Sequence, residues 1–478
     1  MSSAGTATQR LSLVSVVTFS VATFPVSALG VALFVYLPPY LAGHLGVALT
    51  VISGAWATVR IVDLFVDPVL GHMMDRTETP LGRYRAWLGA GVPVLMLAVY
   101  MLFMAPKGIG PLYLLVWLFL LYIGNSVLTL SQSAWGATLA TQYHERSRVF
   151  GVLTAVGVVA GVITLLIPII APAFGYSNAE GVQAMGWFVI LVAPISVGLT
   201  VWRTPERVSK DTNPQFQLAD YLDIARKPEV IRLFLCQMAL TLGPGWMSAM
   251  YLFYFKDVRG FTTQQATILL LVYILAGVIG APLTARVASR FGKHQTLMAT
   301  TTAFSLGLFA VFVIPLGNVL AAVPVMLWCG FMAAGFGLMI NAMMGDVGDE
   351  IRLHQGKERI SLLFAILTFA SKIAAAAAIS VTFILLSRVG YNAAEGAHNT
   401  AHALNGLQWI FLAGPIVFVM LGGLCVVGWK LDADRHAGVR AQLDARDAAL
   451  ADAPILASVS GTPPHISLSS EPDSALRG

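Results

Sequence analysis

The residues of this chain best placed to do chemistry sit in one apolar run, Arg60-Ile61-Val62-Asp63-Leu64-Phe65-Val66-Asp67-Pro68. Asp63 and Asp67 are four residues apart, so on a helix their carboxylates share one face about a turn apart. An acidic pair in an apolar span is costly to bury, and such pairs mark ion pathways. Two negative charges held this close favour uptake of one shared proton or cation. Arg60, one turn before Asp63, is placed to neutralise one carboxylate; the competing reading is a static Arg–Asp brace between helices. A second charge, Lys372, lies mid-span in Phe369-Ala370-Ser371-Lys372-Ile373-Ala374, among small residues that allow close helix approach. It is too far from either end of its span to snorkel, so it needs a carboxylate partner or a water-filled cavity. Asp63 and Asp67 are the expected partners, and cation binding to them would compete with Lys372.

These charges need elements that hold them in a membrane. The 478 residues are 57% hydrophobic and 11% charged, with a mean hydropathy of +0.76. A soluble protein of this length carries far more charge on its surface. Apolar blocks such as 92–105 and 149–174 satisfy their backbone groups in lipid only as helices. About twelve spans of bilayer length follow: 14–41, 46–73, 86–106, 111–140, 147–174 and 183–203, then 230–256, 262–286, 294–316, 319–345, 359–388 and 405–430. The first is too long for a signal-peptide core and is read as a retained span. Cys236, Cys329 and Cys425 all fall in apolar stretches with no metal-ligand spacing and read as small core residues. The basic residues lie in short loops rather than one patch, which excludes a nucleic-acid partner.

The domain organisation expected is an N-terminal six-helix half over 1–203, a linker at 204–229 with Pro205, Pro214 and Pro228, a C-terminal half over 230–430, and a tail at 431–478. A short surface helix is expected near 433–452, with the rest too poor in apolar residues to fold. Roughly 23 of the 29 Lys and Arg fall on the side of the N-terminus and tail, which the positive-inside rule places in the cytoplasm. A weak repeat relates the halves: Pro68-x-x-Gly71-x-x-x-Asp75-Arg76 then Gly82-Arg83, and Pro282, Arg290 then Gly292-Lys293. Two six-helix halves related in this way are the pattern of the major facilitator fold, in which the halves rock around a central site. The fold class expected is therefore an all-α membrane protein with twelve transmembrane helices.

The run Asp63-x-x-x-Asp67-Pro68-x-x-Gly71-x-x-x-Asp75-Arg76-Thr77, followed by Gly82-Arg83-x-Arg85-x-Trp87, closely resembles the glycoside–pentoside–hexuronide:cation symporters, the melibiose permease family. So do Glu145-Arg146-Ser147-Arg148 after the fourth span and Asp346-x-x-Asp349-Glu350 before the eleventh. The resemblance spans about 14–430. It implies a symporter of a sugar, glycoside or related polar solute with H⁺ or Na⁺, Asp63 and Asp67 as cation ligands (a metal site only if the ion is Na⁺), and Lys372 as the coupling lysine. No cofactor is implied. The expected partners are a small solute, the coupling cation and membrane lipid, and the expected state is a monomer in a bacterial inner membrane.

The departures from the family are specific. Val66 stands where the melibiose-type members carry Asn, and a helix-four hydroxyl is missing near Leu128 or Thr129. Loss of oxygen ligands weakens a sodium site more than a proton site, so H⁺ is favoured. Trp135 matches the family's sugar-stacking aromatic, but its carboxylate partner position is Ser131, and the first span offers only candidates such as Ser27. Ser131, Gln132, Asn125, Asn341, Trp135 and Trp246 are the candidates for a milder polar cavity, each with interhelical packing as its plain alternative. Asp75, Arg76, Arg83 and Arg85 with Glu145, Arg146 and Arg148, and further Asp346 and Asp349, are the expected gate. The missing sugar-gripping acids leave an amphiphile such as a lysolipid as the alternative solute. An intramembrane enzyme would need a nucleophile–base pair or metal ligands, and neither HExxH nor GxSxG occurs.

Overall fold

The computed structural model describes residues 12–139, 143–206, 224–355 and 359–452. A lead-in helix, Leu13–Ser20, precedes α1, Thr23–Gly43, which contains a π-helical turn at Ala32–Tyr36. The first half continues with α2 (Leu49–Arg76), α3 (Arg83–Phe103), α4 (Pro111–Leu139), α5 (Tyr143–Ile170) and α6 (Asn178–Arg203). The second half has α7 (Pro228–Phe253), α8 (Thr263–Phe291), α9 (Lys293–Val311), α10 (Val319–Gln355), α11 (Ile360–Arg388) and α12 (Ala401–Leu424). A further helix, α13 (Ala433–Asp452), follows; the remainder of the expected tail and most of the linker lie outside the described residues.

Eleven of these helices are long and apolar enough to cross a membrane. The exception among the twelve expected is α9, whose threonines lower its hydropathy. Those hydroxyls return to backbone carbonyls of their own helix: Thr296 to Gly292, Thr300 to Thr296, and Thr301 and Thr302 to Met298, at 2.8–2.9 Å. With its polar groups satisfied internally, α9 packs against α10 and α12 and takes the ninth position of a twelve-helix, two-half bundle. The chain is an integral membrane protein.

Close packing within the second half depends on missing side chains. A Cβ at Gly280 of α8 would sit 2.4 Å from the Phe331 carbonyl oxygen, and one at Gly330 of α10 would sit 2.0 Å from that of Tyr273. Without favourable apolar transfer between helices in lipid, such backbone-to-backbone contact is what binds them.

The halves meet mainly through α2 against α11, with α1 against α7 and α5 against α8. On the face away from the chain termini, hydrogen bonds cross from half to half. Tyr36 donates to Thr267 Oγ1 (2.8 Å), Gln264 to the Ile169 carbonyl (2.8 Å), and Ser53 to the Ser380 carbonyl (2.9 Å). The α11–α12 loop joins them: its Glu395 N–H donates to Gly43 O (3.1 Å), and Glu395 Oε2 lies 3.3 Å from His44 Nδ1. That loop is itself braced by Tyr391, which donates to Asp257. Burial and the Asp257 carboxylate hold the Tyr391 phenol well above its ordinary value, so it stays a donor.

Candidate functional site

Helix α2 separates its residues cleanly. Ile61, Phe65 and Val69, four apart, are exposed on one side as a lipid-facing stripe, while Arg60 and Asp63 turn inward and are 8% and 3% exposed. Pro68 has no N–H to offer the Leu64 carbonyl, so α2 loses a backbone hydrogen bond beside both aspartates.

Into this gap comes Lys372 of α11. Its Nζ lies 3.0 Å from Asp63 Oδ2 and also binds Asp67 Oδ2, bridging the halves. Asp63 is gripped further: Ser126 of α4 donates to Oδ1 (3.1 Å), and Arg60 Nη1 lies 3.5 Å from Oδ2. The Arg60 guanidinium stacks 4.5 Å from the Tyr122 ring centroid, a cation–π contact that holds it in apolar surroundings. Asp67 is gripped less. Lys372 is its ion-pair partner among the described residues, and its Oδ1 is buried with no hydrogen-bond partner there. Two carboxylates thus face two cations across a mostly buried seam. Removing one partner of such a pair costs about 3–5 kcal/mol, because the other charge is left uncompensated.

A second feature is a cavity of about 440 Å³ bounded by α1, α4 and α5, with Ile274 of α8 also on its lining. Its polar wall is Thr23, Ser27, Thr129, Gln132, Ser133 and Thr154; the rest is aliphatic apart from Phe150 and two glycines. Of the six solute-site candidates expected from sequence, Gln132 lines it. Trp135 does not: it is fully buried, with Phe19 edge-on at 5.4 Å and the Arg85 guanidinium 5.8 Å from its ring. Ser131 is buried and donates to the Met74 sulfur. Trp246 donates to the Ile410 carbonyl (2.9 Å) and packs on Phe418, so it fastens α7 to α12. Asn125 is half-buried on α4 and Asn341 is exposed on α10; neither is on the cavity wall.

Of the expected gate, Arg83 and Arg85 bond to the end of α6. The N–H groups of Arg83, Tyr84 and Arg85 open α3 and donate to the Glu206 carboxylate at 2.9–3.2 Å, just past the end of α6. The Arg85 guanidinium donates to the Val201 carbonyl. Both contacts stay within the first half. Arg76 and Arg148 are exposed, and the side chains of Asp75, Glu145 and Arg146 lie outside the described residues. In the second half, Asp346 is bound by Lys293 through both oxygens at 2.7 Å. Asp349 is held by His436 (3.1 Å) and Arg440 (3.6 Å), and Glu350 by Arg435 (2.7 Å), all three from α13.

Sequence reasoning missed Ser126, Thr23 and Glu206. Ser126 brings a helix-four hydroxyl to Asp63, two residues before Leu128 and three before Thr129. No cluster of three or more His, Cys, Asp or Glu placed to hold a metal occurs among the described residues, and the three cysteines are unbridged.

A membrane bundle of two six-helix halves, joined by an ion-paired seam and holding a cavity, defines a secondary carrier of the alternating-access type rather than an enzyme. The profile of the MFS/sugar transport protein family matches residues 18–433, and the chain belongs to that family. It is similar to the isoprimeverose transporter of Lactiplantibacillus pentosus, with 24% identity over 414 residues, 83% of this chain and 84% of that one. It is also similar to the Escherichia coli (strain K12) protein YagG, named for glycoside/cation symport, with 23% identity over 79% of this chain and 84% of that one. Among solved structures, the nucleoside transporter NupG superposes with a TM-score of 0.65 over 87% of this chain and 99% of that one, at 14% identity, a likeness of fold.

Proposed function

We propose that the protein is a proton-coupled symporter of sugars or glycosides in a bacterial plasma membrane, with its termini in the cytoplasm and the halves here in the inward-facing arrangement. The observation that carries this reading is the Lys372 bridge from α11 to Asp63 and Asp67 of α2. Asp63 is pinned by Arg60, Ser126 and Lys372 and works as the fixed anchor. Asp67, with one buried and unpartnered oxygen, is the carboxylate that takes the proton. Protonation removes the charge that Lys372 pairs with, weakens the seam between halves and frees them to rock.

Sodium fits this site less well. It requires several oxygens, and beyond the two aspartates the hydroxyl in contact is that of Ser126. The orientation follows from the excess of Lys and Arg on the face of the termini. The names of the relatives support glycosides and a coupling cation. A monomer is sufficient, because both halves of the seam come from one chain.

The test is uptake into proteoliposomes under an imposed pH gradient or an imposed sodium gradient, with radiolabelled lactose and methyl glycosides as trial solutes. The reading requires accumulation driven by the pH gradient and lost in Asp67→Asn. Accumulation driven by sodium alone would overturn the proton assignment. Unchanged accumulation in Asp67→Asn would overturn the seam as the coupling device.

A further inference from the structure

We infer that the solute is uncharged and presents an apolar face, as an alkyl or aryl glycoside or a deoxygenated sugar does, and that hexuronates, sugar phosphates and amino sugars are excluded. The inference rests on the proposed transport reading and concerns the cavity between α1, α4 and α5.

Among the described residues, no ionisable side chain lines that cavity. A charged solute desolvated there would have no counter-charge, which is costly. The cations of the seam do not supply one: Arg60 and Lys372 are both engaged by the aspartates and neither is on the wall. The polar groups on its wall are all neutral, five hydroxyls and one amide. Thr129 donates to the Asn125 carbonyl (2.8 Å) and Thr154 to that of Phe150 (2.9 Å), so each offers the cavity lone pairs. Gln132 spends an N–H on the Phe19 carbonyl (3.3 Å), which leaves its amide oxygen and its second N–H. Thr23 Oγ1 is buried with no partner among the described residues and lies on the same wall, a polar atom left for the solute. Such a wall exchanges neutral hydrogen bonds with sugar hydroxyls and offers no counter-charge to an ionised group.

The rest of the lining is largely aliphatic, with Val26, Leu153, Val158 and Ile274. That surface suits an aglycone or the carbon face of a sugar. The room depends on Gly157, where a Cβ would stand 2.7 Å from Ser27 Oγ. At about 440 Å³ the cavity lies in the range that encloses small ligands, enough for one sugar ring with a substituent. The melibiose permease resemblance implies carboxylate grips on helices one and four. Their replacement by neutral groups is where this chain parts from the family.

The experiment measures proton movement into de-energised proteoliposomes on addition of phenyl β-glucoside, methyl β-glucoside, glucuronate, glucose 6-phosphate, glucosamine and lysophosphatidylcholine. Thermal stabilisation of the purified protein by the same compounds runs in parallel. The expected order is phenyl glucoside first, with the charged sugars at least about tenfold weaker. Gln132→Glu places a carboxylate on the wall and is expected to improve glucosamine relative to phenyl glucoside by about two- to fivefold. Proton movement with glucuronate, glucose 6-phosphate or glucosamine at comparable strength would overturn the inference and leave the carrier reading standing. So would a lysolipid that outcompetes every glycoside. Stabilisation by phenyl glucoside with no proton movement would uphold the inference and overturn proton coupling. Silence from all six compounds in both measurements would overturn the inference.

Discussion

The two faces of the bundle satisfy their polar groups in different ways. On the face away from the termini, Tyr36, Ser53, Gln264 and Glu395 bond across to the other half. On the terminal face, Glu206 closes on α3 within the first half, and Asp346, Asp349 and Glu350 are held by Lys293 and α13 within the second. Arg83, Arg85, Asp346 and Asp349 of the expected gate are therefore occupied locally in this arrangement. A carrier that alternates must exchange one set of contacts for the other, and the Lys372 seam lies between the two sets.

The seam is where the contrast breaks most severely. Lys372→Ala leaves Asp63 and Asp67 without their shared cation, a loss of about 3–5 kcal/mol in a buried pair. Gradient-driven accumulation should fall by a hundredfold or more on the order of that energy, and retention of wild-type accumulation would refute the seam. Ser126→Ala removes one charge-assisted hydrogen bond from Asp63, worth about 1.5–3 kcal/mol. Its expected signature is a shift in the pH dependence of uptake, with solute affinity measured at a fixed pH little changed.

Smaller effects separate the two faces. Tyr36→Phe deletes one cross-half bond, worth about 1 kcal/mol, and should raise the outward-open population roughly fivefold. Labelling of a cysteine introduced at Ser380 by a membrane-impermeant thiol reagent from outside reads that population, and equal labelling in both proteins would argue against the far-face seam. On the opposite face, Glu206→Ala strips three N–H groups of their acceptor, at a cost of about 0.5–2 kcal/mol. Faster hydrogen exchange at Arg83, Tyr84 and Arg85 is the expected readout, with little change in the far-face labelling. The smallest effect concerns His44 and Glu395, an exposed pair worth at most about 1 kcal/mol. Glu395→Gln weakens this contact, so labelling at Ser380 should rise modestly over wild type.

Much of this was legible in the sequence because lipid is a severe solvent. Charges in apolar runs are conspicuous there, and Asp63, Asp67, Arg60 and Lys372 announced themselves by context alone. The span pattern was legible for the same reason. The ninth helix was read as a span despite its threonines, whose back-bonding to their own helix hides their polarity from the lipid. The solute site was less legible. Ser, Thr and Gln in a helix bond equally well to a backbone, a neighbour or a ligand, so their types do not select among those roles. Trp135 illustrates the difficulty: its position matched a stacking aromatic, yet Phe19 of the lead-in helix covers it. Glu206 was invisible because it lies in a polar linker, and its role exists only once the end of α6 is folded against the start of α3.

Helix α13 gives the molecule a pointer. Leu443 and Val439 are buried under it, and His436, Arg435 and Arg440 tie it to the end of α10. It must therefore travel with the second half as a single lever. Exposed Gln442 on α13 and exposed Arg203 at the end of α6 stand on opposite levers. A pair of spin labels at those two positions becomes a ruler for the transport cycle, and its reading shortens each time the terminal face closes.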